Sequence, residues 1–242
     1  GLSANYLNFC DLVDSDVLNR RLGEVRRLLL EYGVQPKTAM IADINGISMG
    51  QRDALLANGV EFLFTNIHCH HGMYPLYQNQ NAYWWENASG QRLLVWNGEH
   101  YNLGNVLGIR PNRAANFMTR NHFGEREKLG DDVDELHRNL EDYLKLCEDN
   151  DYDYDFIVTA VSGVFSDNAP PEPLILRVIE EYNRRYAGGA KLLMVSLQEL
   201  YSEIKEKLAG SPVYRGDLTD WWASGAGSTP YAVKHYRDAQ RR

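Results

Sequence analysis

The chain has 242 residues, 44% of them hydrophobic and 24% charged, enough to bury one large core, and a single domain over 1–242 is the simplest reading. No apolar run approaches the roughly 20 residues that span a bilayer, so no membrane segment is expected. The net charge of −8, with no clustered basic surface, argues against nucleic-acid binding and leaves a neutral substrate as the expectation.

Leu18, Leu22, Val25, Leu29 and Tyr32 recur at three- and four-residue steps and predict a helix between Asp14 and Tyr32 that stops at Gly33. Residues 38–44 read as a short buried strand, followed by a Gly-containing turn and a short helix over 51–57 that ends at Gly59. Residues 60–65 and 92–96 read as the next two strands, and the long aromatic and Asn-rich stretch between them reads as a functional loop. Val133, Leu136, Leu140, Leu144 and Cys147 predict a second amphipathic helix. The acidic run 149–155 reads as a solvated turn before a strand over 156–160. A helix through Leu174, Val178 and Tyr182, a strand over 191–196 and a helix over 197–208 follow. Such alternation predicts an α/β fold with a mostly parallel sheet, open or closed into a barrel, and places chemistry at the C-terminal ends of the strands.

Several side chains fall at those ends. Asp43 closes the first strand and is followed by Ile44-Asn45-Gly46, where the chain must turn. A carboxylate there serves as a glycosyl nucleophile or a hard metal ligand, or caps the next helix. His68, His70 and His71 follow the second strand and suit metal binding, substrate hydrogen bonding or a solvated loop; His100 follows the third. Tyr74, Tyr77, Tyr83, Trp84 and Trp85 flank the long loop, either as a platform for a sugar face or as cover for the rim of the fold. Asp167, after the strand at 156–160, is either a general acid or a turn and N-cap residue. Cys10, Cys69 and Cys147 lie far apart, suggest no disulfide or thiolate metal site and read as buried thiols. The N-terminus shows no basic and apolar leader, so the compartment is open, with the cytoplasm slightly favoured. Asn87-Ala88-Ser89 fits a glycosylation sequon that matters only in a secreted chain.

The run Met40-Ile41-Ala42-Asp43-Ile44-Asn45-Gly46-Ile47-Ser48 resembles the Ile-Asp-Pro-Phe-Gly-His-Ser segment of glycoside hydrolase family 38, the α-mannosidases, with Ile44-Asn45 in place of Pro-Phe. Leu55-Leu56-Ala57-Asn58-Gly59-Val60-Glu61-Phe62-Leu63 matches the helix, glycine and strand that follow it in that family. Trp96-Asn97-Gly98-Glu99-His100-Tyr101 and the stretch from Pro212 through Gly216-Asp217 and Trp221-Trp222 to Pro230 are similar to bacterial members. The resemblance implies a (β/α)7-type barrel of the glycoside hydrolase/deacetylase kind, incomplete if the chain is a fragment, and a zinc-dependent retaining α-mannosidase-like activity on carbohydrate. Asp43 would be both nucleophile and zinc ligand, with Asp167 placed as the acid, and Asn45, His68, His70, Trp85, His100, Tyr101 and Trp222 would contact the sugar. Family members carry a His-x-Asp zinc motif before this region and a His-His-Asp segment after it, so either the other ligands would come from the rest of a longer chain or the chain is a family relative that has lost the metal site. A homo-oligomer is the other partner expected. The rival readings are a metal-dependent carbohydrate deacetylase and a non-catalytic carbohydrate-binding domain.

Overall fold

A computed structural model describes residues 3–4, 12–42, 47–66, 80–110, 129–162, 171–218 and 227–242. The chain divides into two compact units, Gly1–Gly98 with Val195–Arg242, and Glu99–Met194. The class is mixed α/β, as the sequence predicts, though the elements are distributed differently from the expected alternation.

The first unit is built on a five-stranded sheet. Helix α1 (Ser15–Glu31) starts at Asp14, whose side chain accepts from the Asp16 N–H, and buries Leu18, Leu22 and Leu29. It ends where Gly33, at φ +73°, lets the N–H groups of Gly33 and Val34 turn back to the carbonyls of Leu30 and Leu29. Helix α2 (Met49–Ala57) is capped by Ser48 and stops through the same paired bonds at Gly59 and Val60, with Gly59 at φ +80°. These two stops aim the chain into strands β1 (Thr38–Ala42) and β2 (Phe62–Asn66), which pair in parallel. Every residue of β2 is buried, as a parallel strand covered on both faces must be.

Strand β3 (Asn81–Glu86) occupies part of the stretch expected to be a loop. It turns through 87–91 into β4 (Arg92–Asn97) as an antiparallel hairpin, and β4 pairs in parallel with β2. The turn is held by Asn87, whose side-chain oxygen accepts from the N–H groups of Ser89 and Gln91. Strand order is β1-β2-β4-β3-β5, and three of the four pairings are parallel. The last strand, β5 (Val213–Tyr214), comes from the far end of the chain and pairs with Trp84 and Trp85. Ala39, Ile41, Leu63, Tyr83, Trp85, Leu93 and Val95 form one buried sheet face, against Leu18 and Leu22 of α1 and Leu55 of α2.

Val195–Arg242 belongs to this unit through several contacts besides β5. Helix α6 (Leu197–Ile204) opens with a reciprocal capping box between Ser196 and Glu199, and its Tyr201 stacks on Phe62 at 5.2 Å, covering the other sheet face. Ile47 bridges Leu218. The terminal helix, Pro230–Gln240, begins with proline and returns Gln240 to the Leu12 carbonyl. In chain order it is α7, after three helices of the second unit.

Those three are α3 (Leu103–Leu107), α4 (Leu129–Asp149) and α5 (Leu174–Arg185), which share a core containing Leu103, Leu107, Val133, Leu136, Val178 and Tyr182. Cys147 of α4 is a half-buried free thiol. No strand is found among the described residues of this unit, which corrects the expected strands at 156–160 and 191–196. Their backbone groups are satisfied another way. The Gly104 N–H donates to the Ala160 carbonyl and the Ser162 N–H to Asn105 Oδ1, so this segment docks on α3. Asn183 of α5 donates to the Leu192 carbonyl at 2.8 Å and accepts from the Leu192 N–H at 2.9 Å, taking both bonds that a neighbouring strand would have made.

Candidate functional site

Strands β1, β2 and β4 run the same way, so their C-terminal ends form one edge. The register places Ala42 opposite Asn66 and Thr65 opposite Asn97. Behind this edge the strands are apolar, and at it they become polar: Thr65, Asn66 and Asn97 are 0%, 2% and 1% exposed. Polar side chains that replace aliphatic ones at the C-terminal ends of parallel strands stand where ligands bind in α/β folds.

The polar groups of the edge are unequally satisfied. Thr65 Oγ1 donates to the Trp96 carbonyl at 3.1 Å and lies 3.4 Å from Asn97 Oδ1. The Gly98 N–H donates to the Thr65 carbonyl at 2.7 Å, which prolongs the β2–β4 pairing by one residue. Only glycine fits there, because a Cβ at position 98 would stand 2.5 Å from Asn66 Oδ1 and 2.8 Å from the Thr65 carbonyl oxygen. Asn66 Nδ2 is buried and has no hydrogen-bond partner. The strand expected over 60–65 ends one residue short of Asn66, the last residue of β2. The available signal was the switch from Phe-Leu-Phe to Thr-Asn at the end of a buried run.

Asp43 is the residue immediately after β1, so in sequence it adjoins this edge, but Asp43 and Asn45 lie outside the described residues. So do His68, His70 and His71 after β2, as well as Asp167 and Trp222. Among the described residues no three His, Cys, Asp or Glu side chains converge where they could hold a metal ion.

Three expected site residues are described. Trp85 is 0% exposed; its indole N–H donates to the Gly216 carbonyl at 2.8 Å and the Arg52 guanidinium lies 5.2 Å from its ring centre. With ring and N–H both engaged by the protein, Trp85 has a packing position rather than that of an open sugar platform. His100 and Tyr101 belong to the second unit and are half-buried, with ring centres 4.2 Å apart. The Nδ1 of His100 lies 2.7 Å from Asn102 Oδ1, which fixes the imidazole plane.

A charged cluster marks the other end of the hairpin. Glu86 is buried and receives Arg92 Nε at 2.7 Å and Arg215 Nε at 2.6 Å, while its carbonyl accepts from Arg52 Nη1 at 2.9 Å. The hydrogen bonds from Arg92 and Arg215 hold the Glu86 carboxyl below the usual carboxylate range. With both arginines committed to one carboxylate, this cluster is a structural clamp joining β3, β4 and the segment after β5.

No protein-family model matches the sequence, and no curated protein does. Among solved structures the chain is similar to an α-mannosidase from Enterococcus faecalis V583, with a TM-score of 0.54 and 12% identity, over 86% of this chain and 20% of that one. The chain thus spans about a fifth of the length of that protein. At this identity the likeness is one of fold.

Proposed function

We propose that the chain is part of a glycoside hydrolase, an α-mannosidase-like enzyme that cleaves glycosidic bonds with retention of configuration. The observation that carries this reading is the shared fold with an α-mannosidase, combined with a carboxylate, Asp43, directly after the first strand of the parallel edge. On this reading the strands belong to a (β/α)7-type barrel. Asp43 attacks the anomeric carbon, and Asp167 first protonates the departing oxygen and then deprotonates the water that releases the sugar. Retention requires the two carboxyl groups about 5–5.5 Å apart. Asn45, His68, His70, His100, Tyr101 and Trp222 are the proposed sugar contacts. Zinc, held with Asp43 as one ligand, would bind sugar hydroxyls and fix the ring. The other ligands would then come from outside these 242 residues.

The test is hydrolysis of an aryl α-mannoside by the complete protein with zinc present, followed by trapping with a 2-deoxy-2-fluoro mannosyl donor. The expected result is a retained anomer and a mass increase on the peptide containing Asp43. Asp43→Asn should lower kcat by about 10³-fold or more while the protein stays folded. Near-normal turnover in that variant, or a label on another carboxylate, would sink the assignment.

A further inference from the structure

We infer that Asn66 is a ligand-binding residue, its buried side-chain N–H kept for a neutral acceptor oxygen of a bound hydroxylated molecule. The naming of that molecule as a sugar rests on the glycosidase reading; the binding role of Asn66 rests on the geometry of the edge. Asn66 is the last residue of a strand whose other members are Phe62, Leu63, Phe64 and Thr65, all buried. An amide among them loses its water on folding and must recover a hydrogen bond or remain a standing cost. Thr65, one residue earlier, recovers its bond from the Trp96 carbonyl. Asn66 Nδ2 recovers none, although the residue is 2% exposed.

The amide is also confined. Its oxygen lies against Gly98, where even a methyl group would be 2.5 Å away, so the neighbouring strand has given up a side chain to accommodate it. A strand end shaped around an amide whose donor is unused in the free protein is the arrangement expected when the partner arrives with a ligand. The position agrees, because Asn66 stands opposite Ala42 at the C-terminal ends of parallel strands, where ligands bind in α/β folds. The chemistry narrows the ligand further. The edge residues Thr65, Asn66 and Asn97 are all uncharged and bring no cation, so a hydroxyl or carbonyl oxygen fits better than an anion.

The experiment compares the protein with Asn66→Leu, which keeps the shape and removes the amide, and Asn66→Asp, which keeps the shape and removes the donor. Thermal midpoints are read without ligand, and affinity for methyl α-mannoside is read by calorimetry. Asn66→Leu should raise the midpoint by about 2–4 °C, because an unpaired buried amide is gone, and both variants should weaken binding tenfold or more. A lowered midpoint in Asn66→Leu would show that the amide serves the fold and would overturn the inference. So would a raised midpoint with unchanged binding in both variants. If the parent, tested as the complete protein with zinc present, binds no methyl α-mannoside while Asn66→Leu is stabilised, the mannosidase reading fails and the reserved donor is supported. The same variants read against a panel of other neutral sugars then locate its ligand, and equal affinity across that panel in parent and variants overturns it.

Discussion

Glu61 and Tyr201 form a pair that senses pH from both sides. Burial raises the Glu61 pKa, but the hydrogen bonds from Lys37 and Tyr201 outweigh it and the net shift is downward. Burial and the bond to Glu61 push the Tyr201 phenol up to about 12. The signs follow from linkage. A depressed carboxyl adds stability above its unfolded pKa that is lost as pH falls through the folded value. A raised phenol adds stability below its unfolded pKa, near 10, that is lost as pH rises toward 12. Tyr201→Phe should therefore flatten the loss of stability between about pH 10 and 12, read as urea midpoints across the range. Glu86 behaves like Glu61 at the acid end, and Glu86→Gln should weaken the decline of stability below about pH 4.5 while freeing Arg92 and Arg215. None of these pairings was legible in the sequence. They join positions 61 to 201 and 86 to 215, and periodicity carries no information about contacts at that separation.

Local signals carried further at the scale of elements. Asp14, Gly33 and Gly59 announced the start of α1 and the stops of α1 and α2 within a residue or two, because a helix end depends on a few neighbouring residues. Gly59→Ala should cost about 1–2 kcal/mol in unfolding free energy, since alanine resists a φ of +80°. Strand β3 was missed because Asn-rich sequence suggested a loop. The better clue was the aromatic run Ala82-Tyr83-Trp84-Trp85 ahead of an Asn-Ala-Ser-Gly turn and another strand, which is a hairpin pattern. The errors at 156–160 and 191–196 run the other way. Those residues favour strands, yet a strand exists only beside another, and here Asn183 substitutes for the neighbour of Leu192. Asn183→Ala should leave both Leu192 backbone groups unpaired and cost about 1–3 kcal/mol, measured by chemical denaturation. Of the site, only its place at the ends of the parallel strands was legible; Asp43, His68, His70 and Asp167 lie outside the described residues. Asn66 itself could be recognised only once the register showed which polar atoms already had partners.

Among the described residues the two units have separate cores with no residue in common. All five tryptophans, at 84, 85, 96, 221 and 222, lie in the first unit. Indole fluorescence therefore reports on the first unit, and helical circular dichroism on both. Leu136→Ala, in the core of the second unit, should cost about 2–5 kcal/mol there. That loss should appear as an early transition in circular dichroism, with the indole midpoint little changed. A common shift in both signals would show that the units unfold together.

The pairing of β5 with β3 has a consequence for biosynthesis. Trp84 meets Val213 and Trp85 meets Tyr214, partners that leave the ribosome about 130 residues apart. With translation at about 5–20 residues per second, the outer edge of β3 waits several seconds or more for its neighbour. The Gly216 carbonyl and the stacking ring of Tyr201 arrive in the same late segment. Throughout that interval a tryptophan-bearing edge with open hydrogen-bonding positions faces solvent or a chaperone, and a nascent chain stalled before residue 195 is the form most exposed to aggregation.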